Sequence, residues 1–201
     1  MTSSTSAPGI KSPADRILVA LDTTDAAGAV ALAQGVKGAV GGVKLGKEFF
    51  TAQGPEGVRK VSAAGLPVFL DLKFHDIPNT VAGAVRAAAP LQPFMLNVHA
   101  SGGRAMMEVG INNETKAQVA KLAKLAQEAG MDGVVCSAHE IKVIRSVCGP
   151  DFTLVVPGIR PEWAVKGDQK RVVTPRDAVS LGADYLVIGR PITQADDPVA
   201  A

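Results

Sequence analysis

Residues 71–80 read DLKFHDIPNT, and four of the first six side chains can carry charge: Asp71, Lys73, His75 and Asp76. The run LPVFL at 66–70 leads straight into them, as apolar as a buried strand. Side chains at i and i+2 of a strand face the same way, so Asp71 and Lys73 are expected on one side of a sheet. Buried charges persist only when paired, which makes Lys44, from a neighbouring apolar run, a natural further partner. An alternating Lys–Asp–Lys–Asp array would hold Asp71 ionised and Lys73 protonated. A structural ion network is the competing reading of the same residues.

A second set of residues has the character of a phosphate site. In VVPGIRP (155–161) and LVIGRPIT (186–193), an apolar run ends in glycine with arginine at once or shortly after. Glycine lets main-chain amides approach an anion, and arginine offers a two-pronged donor to phosphate oxygens. His75 and His99 flank the charged cluster, but no Cys, His or carboxylate spacing nominates a metal. No GxGxxG follows a strand-like run and there is no P-loop, so no nucleotide cofactor is indicated. His139, beside Glu140, reads as a surface residue, and Trp163, after GIRPE, as the cover of a loop.

The elements that must position these groups are seven strand-like runs: RILVALD (16–22), GGVKLGK (41–47), LPVFLDLK (66–73), PFMLNVH (93–99), GVVCSA (133–138), FTLVVPGIR (152–160) and DYLVIGR (184–190). Between them lie helical segments such as DAAGAVALAQGV, NTVAGAVRAAA, ETKAQVAKLAKLAQEAG and TPRDAVSLG. Thr174-Pro175 has the form of a helix start and Gly130 that of a helix end. Strands apolar on both faces and alternating with helices predict a parallel sheet covered by helices. A doubly wound open sheet and a closed (β/α)₈ TIM barrel both satisfy this, and the barrel is preferred. It needs one strand more than the seven. The step from Pro93 to Gly133, about 40 residues, is too long for one strand–helix unit and too short for two. The expected fold is therefore an α/β barrel with one strand-loop segment absent between about residues 108 and 111. Residues 1–14 read as a flexible tail and 15–201 as a single barrel domain. Function in such sheets collects at the carboxyl ends of the strands. Those ends carry Asp22, Lys44, Asp71, Lys73, Asp76, His99, Ser101, Arg160 and Arg190.

Composition narrows the classes. The chain has 201 residues, 47% hydrophobic and 20% charged, which suits one domain with a sizeable core. A net charge of +2 without a long Lys/Arg block gives no support to a nucleic-acid or membrane-surface role. No apolar stretch is long enough for a span, and MTSSTSAPGIKS lacks the apolar core of a signal peptide, so a cytoplasmic location is expected. Cys136 and Cys148 fit no zinc or CxxC spacing and read as reduced thiols.

DLKFHDIPNT closely resembles the signature of the orotidine 5′-phosphate decarboxylase family. VALD (19–22), VKLG (43–46), NVHASGG (97–103), DGVVCSA (132–138), PGIRP (157–161), DQKR (168–171) and IGRPIT (188–193) extend the likeness in family order. The wider superfamily of phosphosugar decarboxylases and aldolases shares only a shorter D-x-K-x-x-D pattern, and HDIPNT selects the orotidylate branch. The resemblance implies cofactor-independent decarboxylation of orotidine 5′-monophosphate to UMP, the last step of de novo pyrimidine nucleotide synthesis. By it, Lys73 would deliver a proton to C6, Asp71 would sit against the substrate carboxylate, and Lys44 would orient the array. Asp76 would reach the site of the neighbouring subunit in a homodimer. Asp22, Ile77 and Thr80 would contact the substrate, and Arg160, Gln169, Gly189 and Arg190 would hold its phosphate. The absent segment would be the strand that carries a hydroxyl contact to the pyrimidine. Two other functions stay open. One is a metal-dependent phosphosugar decarboxylase, against which HDIPNT and the lack of further carboxylate ligands speak. The other is a catalytically impaired nucleotide-binding scaffold, should the strand be deleted.

Overall fold

The structure is a computed structural model and describes residues 10–100, 115–164 and 173–201. Each of the seven apolar runs contains a strand: β1 (Ile17–Ala20), β2 (Gly42–Gly46), β3 (Val68–Phe74), β4 (Met95–Val98), β5 (Gly133–Val135), β6 (Thr153–Pro157) and β7 (Tyr185–Ile188). The helices are α1 (Ala26–Gly35), α2 (Lys47–Ser62), α3 (Pro78–Ala88), α4 (Thr115–Glu128), α5 (Ile141–Cys148), α6 (Pro175–Leu181) and the single turn α7 (Arg190–Thr193). Among the described residues the strands form one parallel sheet in the order β4-β3-β2-β1-β7-β6-β5. The eighth strand of a closed barrel is not among them, and β4 and β5 stand at the two edges. The segment expected between residues 108 and 111 lies outside the described residues, as do Ser101, Gln169 and residues 1–9 of the expected tail. Of the remaining tail, Ile10 packs on the inner core, and Ser12 and Asp15 form a capping box around the turn Pro13–Arg16.

The sheet is curled. Phe94, just before β4, and Tyr185 on β7 meet edge to face with ring centroids 5.8 Å apart. Four strand spacings separate these strands, about 19 Å in a flat sheet. Curling puts Leu18, Ala20, Phe69, Val155, Tyr185 and Val187 into one cluster on the concave side. The alternate residues Val19, Leu21, Val43, Leu45, Leu70, Val156 and Ile188 face the helices and join a second, larger core. Burial on both faces is why the strands read as continuous apolar runs.

Local chemistry explains several boundaries. Thr174 caps α6 by accepting from the Asp177 amide at 3.1 Å, with Pro175 at the first helical position. Gly130, with φ +82°, follows α4. Gly54, at φ +59°, and Pro55 split α2 into two helical pieces, so no single periodic pattern runs through it. Trp163 is 59% exposed, and His139 lies at the surface as expected. Both cysteines are free and buried, and burial pushes the Cys136 thiol up to about 12. No helix among the described residues is long and apolar enough to cross a membrane.

At the amino ends of β6 and β7, Arg145 of α5 binds the outgoing chain together. Its guanidinium donates to the carbonyls of Gly149, Pro150, Phe152 and Gly182 and to the Asp184 carboxylate, the shortest at 2.6 Å. Asp184 in turn accepts from the Leu154 amide at 2.7 Å. Removing the guanidinium leaves half-buried acceptors without their donor. Arg145→Ala is expected to lower the unfolding free energy by about 3 kcal/mol in urea titrations, and Arg145→Lys by nearly as much, because lysine lacks the planar fork. A loss below about 1 kcal/mol for Arg145→Ala would contradict this role.

Candidate active site

In parallel strands, paired residues point to the same side, so register decides which charges meet. Lys44 pairs with Ala20 on one side and Phe69 on the other, both inward-facing. Asp71 lies two residues beyond Phe69 and pairs with Gly46. Lys44 and Asp71 are therefore on the concave face, one level above the apolar cluster, with side chains only 11% and 12% exposed. Gly46 leaves them room: a Cβ there would stand 3.2 Å from the Lys44 ammonium.

The charges form a chain across three strands. Lys44 Nζ lies 3.1 Å from Asp22 Oδ1 and 3.6 Å from Asp71 Oδ2, and Lys73 Nζ pairs with Asp71 Oδ1. The order is Asp22–Lys44–Asp71–Lys73, so the alternation expected from sequence is present. Within the chain its outer acid is Asp22. The ends of the chain reach solvent, with Asp22 63% and Lys73 44% exposed, while its middle is sunk. An ammonium at Lys73 can thus meet a ligand entering from outside while its counter-ion stays in place.

Asp71 also accepts from Asn97 Nδ2 of β4 at 2.7 Å. Burial by itself would push the Asp71 carboxyl up. Hydrogen bonds from Lys73 and Asn97, with the charges of Lys73 and Lys44, outweigh it and hold the group below the ordinary 3.8. From sequence Asn97 carries no role and is only the first letter of NVHASGG. Its signal is parity: it lies two residues after Met95, which pairs with the inward Phe69.

The other expected residues sit around the same rim. Asp76 and Ile77 occupy the turn from β3 into α3 and Thr80 the first turn of α3, all exposed. The Asp76 carboxylate accepts from the Ile77 amide at 2.7 Å, and no contact from it to the array is present among the described residues. His75 and His99 stack with centroids 4.8 Å apart, closing the rim between β3 and β4. After β6, Gly158 takes φ +78°, a left-handed turn suited to glycine, and brings in Arg160, which is buried to 6% exposure. After β7, Gly189 precedes the exposed Arg190 at the start of α7. A Cβ at Gly189 would be 4.0 Å from Asp22 Oδ2, so this turn adjoins the acid end of the array.

A carboxyl held below its unfolded value stabilises the fold above about pH 3.8 and loses that contribution as pH falls through the folded value. The urea midpoint of the wild-type chain is therefore expected to drop more steeply than that of Asp71→Asn between about pH 4.5 and 2.5, followed by circular dichroism. Parallel slopes would contradict the assignment.

The sequence and fold have known counterparts. The model of the orotidine 5′-phosphate decarboxylase / HUMPS family matches residues 15–113 and 108–201. An orotidine 5′-phosphate decarboxylase of Paramagnetospirillum magneticum is 47% identical over 221 aligned positions, covering 92% of this chain and 94% of the relative. One from Rhodospirillum rubrum is 50% identical, with 92% and 90% covered. Among solved structures, orotidine 5′-phosphate decarboxylase from Lactobacillus acidophilus superposes with a TM-score of 0.77 at 32% identity, over 92% of this chain and 94% of that one. An uncharacterized conserved protein from Geobacillus kaustophilus gives a TM-score of 0.77 at 34% identity, over 92% and 95%.

Proposed function

The chain belongs to the orotidine 5′-phosphate decarboxylase / HUMPS family, and we propose that it converts orotidine 5′-monophosphate to UMP and CO₂ at the edge where Asp22, Lys44, Asp71 and Lys73 converge. The observation that carries this reading is that four-residue charge chain, with a sunken acid beside a reachable ammonium.

Loss of CO₂ from C6 of a pyrimidine leaves an electron pair in the ring plane, where the π system cannot spread it. The enzyme must supply on the order of 20 kcal/mol of differential stabilisation. A fixed ammonium aimed at the developing charge is the strongest device these residues offer. In our reading the C6–carboxylate bond breaks with Lys73 Nζ facing C6. The electron pair left on C6 takes a proton from Lys73, giving UMP and a neutral amine that solvent reprotonates. Asp71, ionised beside the substrate carboxylate, raises the energy of the bound ground state and is relieved as neutral CO₂ departs. Lys44 keeps Asp71 and Asp22 apart and oriented. Asp22, Ile77 and Thr80 would line the ribose side, with Arg160, Gln169, Gly189 and Arg190 on the phosphate. Binding energy gathered at the phosphate can hold the site closed around C6.

The chain is one catalytic domain from residue 15 onward, acting in the cytoplasm. It works as a homodimer, with Asp76 offered to the neighbouring site; the exposure of Asp76 and of Ile77 (59%) on the β3–α3 turn supports this. The strand-loop segment missing from the sequence between about residues 108 and 111 belongs to the working barrel, its lack being an omission and not a deletion. Supporting a missing segment are family matches that divide at 108–113 and an alignment of 221 positions against 201 residues.

The test is the loss of orotidylate absorbance with the purified full chain in EDTA. Turnover is expected to be indifferent to EDTA, and Lys73→Ala to lower kcat at least about 10⁴-fold. An intact-mass-verified chain without turnover would overturn the reading. Turnover abolished by EDTA would favour a metal-dependent phosphosugar decarboxylase instead.

A further inference from the structure

The ladder between β3 and β4 is regular at Phe69–Met95 and Leu70–Leu96, then shifts register before resuming at Phe74–Val98. Lys73 sits inside the irregularity with φ +51°, a left-handed conformation that a long side chain rarely adopts. A lysine in an ordinary strand would not hold this backbone by itself, so something outside β3 must over-determine it.

Asn97 does so. Its Oδ1 accepts the Lys73 main-chain N–H at 2.7 Å, and its Nδ2 donates to Asp71 Oδ1 at 2.7 Å. The flip of the amide is fixed by these partners, since an N–H can only donate and an ionised carboxylate can only accept. One rigid planar group therefore spans the Asp71 carboxylate and the main chain from which the Lys73 side chain departs. The same Asp71 oxygen also receives the Lys73 ammonium, while the other faces Lys44.

We propose that Asn97 is a positioning residue for the decarboxylation: its side-chain amide locks Asp71 and the left-handed backbone of Lys73 to each other, setting the angle between acid and ammonium. This rests on the function proposed above. Without the amide, β3 is free to relax toward a regular ladder, which swings Lys73 Nζ away from the point where charge develops. A misplacement of about 1 Å at a reacting group costs on the order of a hundredfold in rate.

Two variants separate the two contacts. Asn97→Ala removes both. Asn97→Asp keeps the acceptor for the Lys73 amide but replaces the donor to Asp71 with a second negative charge. The groups facing Asp71 are then Lys73 on its own strand, Lys44 on β2 with Asp22 beyond it, and the new carboxylate on β4, with His75 and His99 at the rim. In the full chain, checked for folding by circular dichroism, Asn97→Ala is expected to lower kcat about a hundredfold while KM moves less than about threefold. Asn97→Asp is expected to be slow at neutral pH and to recover about tenfold on acidification from about pH 8 to 5. The like charge raises the new carboxyl, and its protonation restores a donor to Asp71. A merely structural residue would show no such recovery. Wild-type kcat in both variants, or a raised KM with kcat unchanged, would overturn the positioning role while leaving the proposed function standing. A wild-type chain without turnover would defeat that function and this role with it.

Discussion

The arrangement turns on the cost of keeping one carboxylate out of water. Asp71 is 12% exposed on the concave face of a curled sheet, with aliphatic and aromatic side chains directly below it. Withdrawing such a group from solvent costs several kcal/mol even after the surroundings relax. One opposite charge about 4 Å away returns about 4 kcal/mol at an effective dielectric of about 20, which alone barely offsets that cost. The protein surrounds the carboxylate instead with two lysines and an amide, each from a different place in the fold: Lys44 from β2, Lys73 from the end of β3 and Asn97 from β4. The net effect is an acid held below its ordinary range although burial pushes the other way.

Other local features follow from that solution. Gly46 is opposite Asp71 because a larger residue would press on the Lys44 ammonium at 3.2 Å. Lys73 leaves the regular strand so that its chain can turn back onto Asp71 and still reach solvent. The apolar floor of Leu18, Ala20, Phe69, Tyr185 and Val187 backs the array from beneath and shields its sunken middle, Lys44 and Asp71, from water on that side. Curling brings the loops after β6 and β7, with Arg160 and Arg190, around the same open edge as the end of β3.

Much of this was legible in the sequence, and for physical reasons. Strands buried on both faces must be apolar throughout, so all seven stood out as runs, and the capped start of α6 was announced by Thr174-Pro175. Strict alternation correctly placed Asp71 beside Lys73, yet the contact is made through a left-handed residue that alternation does not describe. Nothing in a lysine marks such a backbone; the cause lies 24 positions away in Asn97, which from sequence is one polar letter at a strand end. Asp22 was assigned to the substrate by resemblance, and its 3.1 Å contact with Lys44 depends on register between β1 and β2, which residue types do not encode. The Gly54-Pro55 break hides α2 for the opposite reason, since two short helical pieces carry no single period.

The Asp71–Lys73 pair is placed to face the reacting carbon, and a crystal structure of the full chain with UMP bound measures whether it does. Lys73 Nζ is expected at about 3–3.5 Å from C6 of the pyrimidine, with the phosphate on the loops after β6 and β7. A nucleotide bound in the reverse sense, or with C6 more than about 6 Å from Lys73 Nζ, would contradict it.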